Sequence, residues 1–557
     1  MIQFKTIDGL LLRDMVMAGA ALLEKNREAV DALNVFPVPD GDTGTNMSLT
    51  LQSATREVNA QEYLRADDAA HALSKGALKG ARGNSGVITS QLFRGFYKAL
   101  KGVDKITPTQ FADAITKGAE VAYKAVMKPK EGTILTVARV VAENAVQQAR
   151  NDPDDYDALF DVILSRGEEI LKKTPDMLPA LKQAGVVDSG GQGLLLILRG
   201  CAAVLRNEDL DSILGCIEEN NTHEEDLWHD LSRELTYTYC VQFSVRHFRN
   251  DVDEHDLDSF RRRLNRIGDC VQVRGDLAET SVHIHTDNPG SALEFGVELG
   301  ELSDIRIDNL AAMKRELEGE SDPTEAPPES DELVDAEPEK AYGMVTVSMG
   351  DGFKDFFQDL NVDQVVEGGQ TMNPSVDDLL HAISRVPAEH VFVLPNNGNV
   401  VFAANQAAKM SQKDVRVIPT KNMAMGIAAA IAFQQDQTPD GNEQQMAEAA
   451  EHVKTATITY AIRDSEYEGV SMKQGDIIGM HNGKIETSGS SVREVALDIM
   501  PSIVDEDSEL ITVYYGADIT EEEAAALTKD LEEAYDFCDV EYHCGGQPLY
   551  YYIIAVE

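Results

Sequence analysis

The chain predicts three folded units in series: an all-α domain, a small α+β domain and an α/β domain. Three observations carry this reading. Helical periodicity, with no strand alternation, runs from Ile7 to about Asn220. At Leu235 the pattern switches to large apolar residues at every second position. Past an acidic, proline-containing stretch, short apolar runs alternate with helical patterns. At 557 residues the chain exceeds one core, and its apolar content of 43% is that of a folded protein.

In the first domain (1–205), Leu11, Met15, Leu22, Val30 and Leu33 keep to one helical stripe. Similar stripes recur near 66–82, 86–102, 109–127, 134–150, 155–172 and 192–205. Glycine- and proline-bearing breaks fall at 37–46, 80–86, 129–133 and 185–193. Antiparallel consecutive helices would bring alternate breaks to one rim, where the polar residues then collect. The second domain (206–315) starts its strands with Leu235 to Val245, then reads helix (256–267), strand (270–274), strand (281–286), helix (290–300) and strand (303–308). That βαββαβ order is ferredoxin-like. Residues 316–340 form the acidic linker. The third domain (341–557) carries apolar strands at Met344–Ser348, His390–Leu394 and Val415–Pro419, with a second lobe from about Thr455. Its tyrosine-rich end, Leu549 to Val556, would be a liability as an exposed strand and is expected to be paired or buried.

A formal net charge of −47 disfavours nucleic acid and anionic membrane as partners. No apolar run reaches the roughly 20 residues of a membrane helix, and the start of the chain is not a signal peptide. Six scattered cysteines are no disulfide framework, so a cytoplasmic protein is expected.

The most informative segment is Asn34-Val35-Phe36-Pro37-Val38-Pro39-Asp40-Gly41-Asp42-Thr43-Gly44-Thr45-Asn46-Met47. Asp40 and Asp42 can share one or two hard cations, and the glycines let backbone N–H groups approach phosphate oxygens. It is not a P-loop, and an EF-hand starting at Asp40 would need a glutamate where Leu51 stands. Taken alone, the Asp-Gly turn could equally cap the next helix. Three more glycine-bearing turns favour a shared Mg-nucleotide site. They are Gly80-Ala81-Arg82-Gly83-Asn84-Ser85-Gly86, where Arg82 could add charge, then Glu131-Gly132-Thr133, and Asp188-Ser189-Gly190-Gly191-Gln192-Gly193.

The first two motifs resemble the DhaL-type nucleotide domain of dihydroxyacetone kinases. More closely, motifs and domain order together resemble the ATP-binding subunit of bacterial fatty acid kinase (FakA), with a DhaL-like domain, a middle domain and a DegV-like domain. The resemblance implies an eight-helix barrel holding ATP and two Mg²⁺, and a homodimer. Asp40 and Asp42 match two of the family's three metal-binding aspartates. The third would fall at Val35, which cannot ligate, so Asn34 is the candidate replacement. Thr43, Gly44, Thr45 and Asn46 would then surround phosphates, with Met47 near the adenine. Gly83, Asn84, Ser85 and Gly86 would hold phosphate through backbone N–H groups, with Thr133, Asp188, Ser189 and Gly190 completing the nucleotide site. The acyl chain would be presented by a separate fatty-acid-binding protein, FakB.

No strong base is needed for this chemistry. A fatty acid carboxylate, with a pKa of roughly 4–5, is already ionised at neutral pH. His71 lies within a helical pattern and is read as structural or exposed. The product would be an acyl phosphate for phospholipid synthesis. Two rivals stay open: a dihydroxyacetone-type kinase acting on a hydroxyl, and a non-catalytic nucleotide-sensing scaffold.

In Ser281-Val282-His283-Ile284-His285-Thr286-Asp287 the two imidazoles share one strand face, about 6.5–7 Å apart. Cys240 sits on the polar side of its own strand. If the strands are neighbours, Cys240, His283 and His285 converge as zinc ligands, although an H-x-H pair is commonly just a solvated surface feature. His247, His255, Asp287 or water could be the fourth ligand. A structural zinc is expected, and the FakA resemblance agrees. Thr371-Met372-Asn373-Pro374-Ser375 and Pro395-Asn396-Asn397-Gly398-Asn399 follow strands, where α/β sheets bind ligands. The DegV resemblance would put fatty acid there; in a FakA setting that lobe docks FakB instead. Arg261, Arg262 and Arg263 read as a solvated helix face.

Overall fold

In the computed structural model, residues 5–34, 41–126, 128–207, 237–246, 248–249, 252, 254–275, 279–310, 336–369, 372–461, 465–467, 470–481 and 484–557 are described. Asp40, His247, Thr371, the side chain of His255 and linker residues 316–335 lie outside them. The chain forms two compact units: the helical lobe together with the C-terminal lobe, and the middle domain by itself. Among the described residues, no helix is long and apolar enough to cross a membrane.

The helical lobe has eight long helices among its described residues: α1 (Gly9–Lys25), α3 (Thr43–Asn59), α4 (Ala66–Lys79), α5 (Gly83–Leu100), α6 (Pro108–Ala125), α7 (Ile134–Asn151), α8 (Tyr156–Leu171) and α11 (Ser189–Arg206). The short α2 (Arg27–Asp31), α9 (Thr174–Met177) and α10 (Pro179–Ala184) fill the connections. Their apolar stripes meet in one core, with Met15, Leu23, Leu51, Phe160 and Ile163 essentially inaccessible. First and last helices close the bundle backbone to backbone. A Cβ added at Gly200 would lie 2.5 Å from Gly19 Cα.

Several glycines that read as breaks belong to helices. α5 begins at Gly83, α11 at Ser189 and α3 at Thr43. These glycines permit close approach instead of ending the helix: a Cβ at Gly44 would meet the Arg27 carbonyl at 2.3 Å, and one at Gly86 would meet Thr50 Oγ1 at 2.3 Å.

The middle domain is βαββαβ, with β1 (Tyr239–Arg246), α12 (Glu254–Ile267), β2 (Gly268–Gly275), β3 (Glu279–Thr286), α13 (Pro289–Leu299) and β4 (Glu301–Asn309). The sheet order is β2-β3-β1-β4, antiparallel throughout, as the ferredoxin-like reading expects. Of the arginine triplet, Arg263 pairs with Glu298 and its guanidinium lies 3.9 Å above the Phe295 ring.

The C-terminal lobe opens with a parallel sheet of order β6-β5-β7-β8. Its strands are β5 (Lys340–Ser348), β6 (Gln364–Glu367), β7 (Ala388–Leu394) and β8 (Asp414–Val417). The connecting helices are α14 (Asp351–Asp359), α15 (Val376–Arg385) and α16 (Val401–Met410), followed by α17 (Met423–Ala432) and α18 (Pro439–His452). A six-stranded second sheet begins with β9 (Lys454–Tyr460). The chain's last strand, Tyr552–Val556, inserts between β9 and the strand Leu510–Tyr515 and is buried along its length. The tyrosine-rich end is therefore paired on both sides.

Asp188 is a structural keystone of the bundle. Its Oδ2 accepts from Gly191 N at 2.7 Å, capping α11, and its carboxylate also takes the backbone N–H of Ile134 at the start of α7. Enclosure outweighs these hydrogen bonds and pushes its pKa from 3.8 up to about 6. This group therefore favours folding fully below pH 3.8, and the benefit disappears as the pH rises through 6. Asp188→Asn, which keeps an acceptor, should raise the melting temperature relative to wild type progressively between pH 4 and 7. The gain is up to about 3 kcal/mol, reduced by water entering the adjoining cavity. Gly200→Ala should lower thermal stability by about 1–3 kcal/mol through forced separation of α1 and α11, measured by calorimetry.

Candidate functional site

The helical lobe brings four helix N-termini to one cavity of about 270 Å³. Asp42 and Thr43 begin α3, Asn84 and Ser85 lie in the first turn of α5, Thr133 and Ile134 begin α7, and Asp188, Ser189 and Gly190 begin α11. These helices run 17 or 18 residues, so each presents the full positive end of its dipole. The N-cap residues of α5 and α7 make no side-chain cap; on α7 the Ile134 N–H goes to Asp188 instead, so the first turn of α5 is the one with N–H groups left for an anion. Ser189 Oγ donates to Thr43 Oγ1 at 3.2 Å, joining α11 to α3 across the site.

The turn before α3 is organised by a residue that carries no motif signal. Asp31, at the end of α2, accepts from Gly44 N at 2.6 Å and Thr45 N at 3.1 Å through Oδ1, and from Thr45 Oγ1 at 2.8 Å through Oδ2. It thus caps α3 from thirteen residues away, which leaves the Asp42 carboxylate uncommitted to capping. An acid nine residues before the first motif aspartate is visible in the sequence, but nothing in the spacing reveals a cap across so long a loop.

Asp42 is buried, at 8% exposure. Its Oδ1 is 3.4 Å from Asn34 Nδ2 and its Oδ2 accepts from Asn373 Nδ2 at 2.7 Å. Burial raises its pKa most, hydrogen bonds from Asn46 and Asn373 oppose the rise, and the nearby charge of Asp31 adds to it. Asp31 is likewise raised, chiefly by burial. Both Asp31 oxygens are committed to α3, so Asp42 is the carboxylate of the pair that faces the cavity without a capping role.

Several expected contacts are corrected. The N–H groups of Gly44 and Thr45 are taken by Asp31 and do not face the cavity as phosphate donors. Met47 does not line the cavity: it is fully buried in the helical core, with Gly193 against its Sδ and Cε. Gly83, with φ of +55°, packs behind the site against Asn46. Asn46 and Gly86 are buried and are not among the described residues that line the cavity. Arg82 turns away from the cavity; its guanidinium donates to the Asn373 carbonyl at 2.8 Å and pairs with Asp378 at 3.4 Å. Among the described residues lining the cavity Lys130 is the cation, and Leu33, Ile88, Leu178 and Leu181 supply apolar wall. None of these five stands out from sequence, because their spacing carries no motif. Asp40 lies outside the described residues.

The C-terminal lobe also reaches this site. Both of its expected strand-end loops are turned on the helical lobe: Asn373 bonds Asp42, and Asn399 Oδ1 accepts from Asn84 Nδ2 at 2.9 Å. Val376 N donates to the Ala81 carbonyl at 3.1 Å, and Ala81 and Val87 share an apolar cluster with Val376 and Leu379.

In the middle domain, Cys240, His283 and His285 are all buried, and one ligand atom from each lies within 4.8 Å of the others. β1 and β3 are neighbours, with Cys240 opposite His285 and Gln242 opposite His283. The two Nε2 atoms are 3.2 Å apart, and Cys240 Sγ is 3.9 Å from His283 Nδ1. Asp269 stands 3.8 Å from His285 Nδ1. A second donor group, Asp269, Cys270 and His285, shares one imidazole with the first; Cys270 escapes sequence reading because it sits in a strand irregularity that alternation does not register. Asp287 is not a fourth ligand: it is exposed and accepts from Thr238 N at 2.8 Å.

Family models cover most of the chain. A DAK2 domain matches residues 37–203, a FakA-like fatty acid kinase middle domain matches 236–317, and the FakA-like C-terminal domain matches 343–557. YloV of Bacillus subtilis (strain 168) is 41% identical over 558 residues, covering 99% of this chain and 100% of that protein. An uncharacterized protein of Staphylococcus aureus (strain USA300) is 38% identical over 554 residues, covering 99% of each chain. Among solved structures, the Streptococcus pneumoniae Fak B3 protein loaded with linoleic acid overlaps 39% of this chain and 99% of its own, at 11% identity and a TM-score of 0.28. The C. freundii dihydroxyacetone kinase overlaps 39% of this chain and 48% of its own, at 14% identity and 0.29. Scores this low add no weight. The family models point to a kinase with a DAK2 domain, a FakA-like middle domain and a FakA-like C-terminal domain, which here are helical, α+β and α/β. The chain belongs to the FakA-like family of fatty acid kinase proteins.

Proposed function

We propose that this chain is the ATP-dependent phosphotransferase component of a fatty acid kinase, transferring the γ-phosphate of ATP to the carboxylate of a fatty acid held by a FakB-type protein. The observation that carries the reading is the convergence of four helix N-termini and a buried, uncapped carboxylate on one cavity. Backbone N–H groups at the start of α5 hold the phosphates, assisted by the Thr43 hydroxyl, Lys130 and the positive end of α7. Ile134, Leu178 and Leu181 provide the apolar wall for the base. Asp42, with Asp40 and Asn34, holds Mg²⁺; an enclosed carboxylate beside a second acid suits a divalent ion. Bound Mg²⁺ neutralises charge on the transferring group and orients it.

No histidine is among the described residues lining the cavity. An ionised acyl carboxylate attacks without losing a proton, so positioning and charge neutralisation suffice. The P–O bond to the leaving phosphate breaks as the acyl oxygen bonds phosphorus, giving acyl phosphate and ADP. The substrate's own chain would partition into membrane if free, which makes presentation by a lipid-binding partner the reasonable arrangement.

Cys240, His283 and His285 hold a zinc ion that braces the middle domain. The donor set fits: one sulfur and two ring nitrogens, all buried, with a carboxylate beside one imidazole in the outer position.

The purified chain, incubated with ATP, Mg²⁺ and a lipid-loaded FakB-type protein, should generate hydroxylamine-trappable acyl phosphate; Asp42→Ala should cut that rate about 100-fold or more, at roughly 1.4 kcal/mol per tenfold. Because burial makes the isolated Asp42 charge costly, the same variant should melt at or above the wild-type temperature without nucleotide. Full ATP-dependent product from Asp42→Ala, or phosphorylation of dihydroxyacetone in place of the acyl chain, would refute the assignment. In a second test, zinc measured by mass spectrometry should fall from near one ion per chain to background in Cys240→Ala and His283→Ala; unchanged zinc in both removes the metal claim.

A further inference from the structure

The C-terminal lobe places one buried side chain against Asp42, a residue of the nucleotide cavity's lining. Asn373 is 1% exposed, and its Nδ2 donates to Asp42 Oδ2 at 2.7 Å and approaches Asn46 Oδ1 at 3.4 Å. Its other end is different. Among the described residues, Asn373 Oδ1 is buried with no hydrogen-bond partner. Native proteins rarely leave a buried carboxamide oxygen unpaired, because its lost hydration goes uncompensated.

A simple tether between lobes does not account for this. The loop is already secured without the amide: Arg82 donates to the Asn373 carbonyl at 2.8 Å and pairs with Asp378, and Val376 N donates to the Ala81 carbonyl at 3.1 Å. Ser375 caps α15 through Asp378 N at 3.0 Å, so the segment after Asn373 is fixed by the helix it starts. Gly83 leaves the room the amide needs, since a Cβ there would stand 2.4 Å from Asn46 Nδ2 and 3.3 Å from Asn373 Nδ2. What remains is a buried carboxamide whose oxygen end is unpaired and whose N–H end sits against a carboxylate that has been left free of capping.

We infer that Asn373 is a cation ligand of the nucleotide site, supplied by the C-terminal lobe, so that the site is complete only when the two lobes are docked. A half-turn of the carboxamide exchanges its ends and puts Oδ1 where Nδ2 now stands, 2.7 Å from Asp42 Oδ2. Adjacent oxygens around an octahedral Mg²⁺ with bonds of 2.0–2.1 Å lie about 2.9 Å apart, so the two positions match neighbouring ligands of one ion. Before the cation arrives, the N–H end of Asn373 offsets the Asp42 charge; afterwards the oxygen end shares the metal. This inference rests on the reading that Asp42 binds Mg-nucleotide, and extends that site to a residue more than three hundred positions away in the chain.

The test is the Mg²⁺ dependence of a fluorescent ATP analogue binding to the full-length chain, without turnover. Asn373→Ala should raise the Mg²⁺ concentration for half-maximal binding about tenfold or more. Asn373→Asp, which retains an oxygen at that position, should bind Mg²⁺ at or below the wild-type concentration. Arg82→Ala, which loosens the same loop but leaves Asn373 in place, should shift it less than Asn373→Ala does. Wild-type Mg²⁺ dependence in Asn373→Ala overturns the inference, and so does equal weakening in Asn373→Ala and Asn373→Asp, the mark of a packing role. Asp42→Ala separates the two levels: if it too binds with wild-type Mg²⁺ dependence, the metal site itself is wrong; if it loses Mg²⁺ dependence while Asn373→Ala does not, only the interlobe ligand fails.

Discussion

One electrostatic constraint governs the helical lobe. Four helices of 17 or 18 residues start at the same cavity, so their positive ends repel one another and leave clustered N–H groups in want of acceptors. Three of the four are neutralised in part from within. Asp31 takes the N–H groups of Gly44 and Thr45 on α3, and Asp188 takes those of Gly191 on α11 and Ile134 on α7. Among the described residues, α5 has no side-chain cap at its N-cap residue. The carboxylates doing this are themselves enclosed, with pKa values raised by burial. The fold therefore stores unfavourable charge burial where an anion and a cation together would relieve it, the usual signature of a site shaped for a ligand.

How much of this was legible in the sequence depended on the kind of signal. Periodicity exposed the long helices and the βαββαβ middle domain, because a buried stripe or an alternating face writes itself directly into residue order. Cys240, His283 and His285 were legible for the same reason, since strand alternation determines which side chains share a face, and β1 and β3 proved to be neighbours. Glycine misled at helix starts. Gly83, Gly190 and Gly191 read as breaks, yet each lies in a first helical turn, where the missing Cβ serves packing against Asn46, Ile134 or Val137. Met47 misled in the opposite sense: the family resemblance put it near the adenine, while its position on α3 turns it into the core. Asp31 and the Asn373 contact were not legible at all. Each acts on the motif across a distance in sequence that only tertiary structure can close.

The interlobe contact changes what the C-terminal sheet is for. Loops after parallel strands are the usual ligand positions of an α/β fold. In this chain the loops after β6 and β7 spend their asparagines on the helical lobe, Asn373 at Asp42 and Asn399 at Asn84. Asn396, in the left-handed region at φ 53°, is meanwhile tied to Thr346, Val347 and Thr420. A buried knot of that kind makes a rigid support, and rigidity is what a loop needs if it is to hold one amide against a carboxylate in another lobe. The sheet's ligand-facing edge has become a docking edge.

A net charge of −47 sets the remaining problem, since the far field of such a protein opposes the approach of any polyanion. Scattered lysines could not reverse it; charges separated by more than about 10 Å of saline are largely screened from one another. Local sources can. Backbone N–H groups at a helix start act over the first turn, do not titrate and are unaffected by the acidic surface beyond a few ångströms. A divalent ion held at Asp42, as proposed, would add concentrated positive charge at the same point, and an acidic surface would favour its arrival. Acidity on the surface and anion recognition in the cavity are therefore compatible, provided the recognition leans mainly on dipoles and a bound cation, with Lys130 as the basic side chain among the described residues of the lining. The turning of Arg82 away from the cavity, onto Asn373 and Asp378, is the clearest sign that the site is built on that plan.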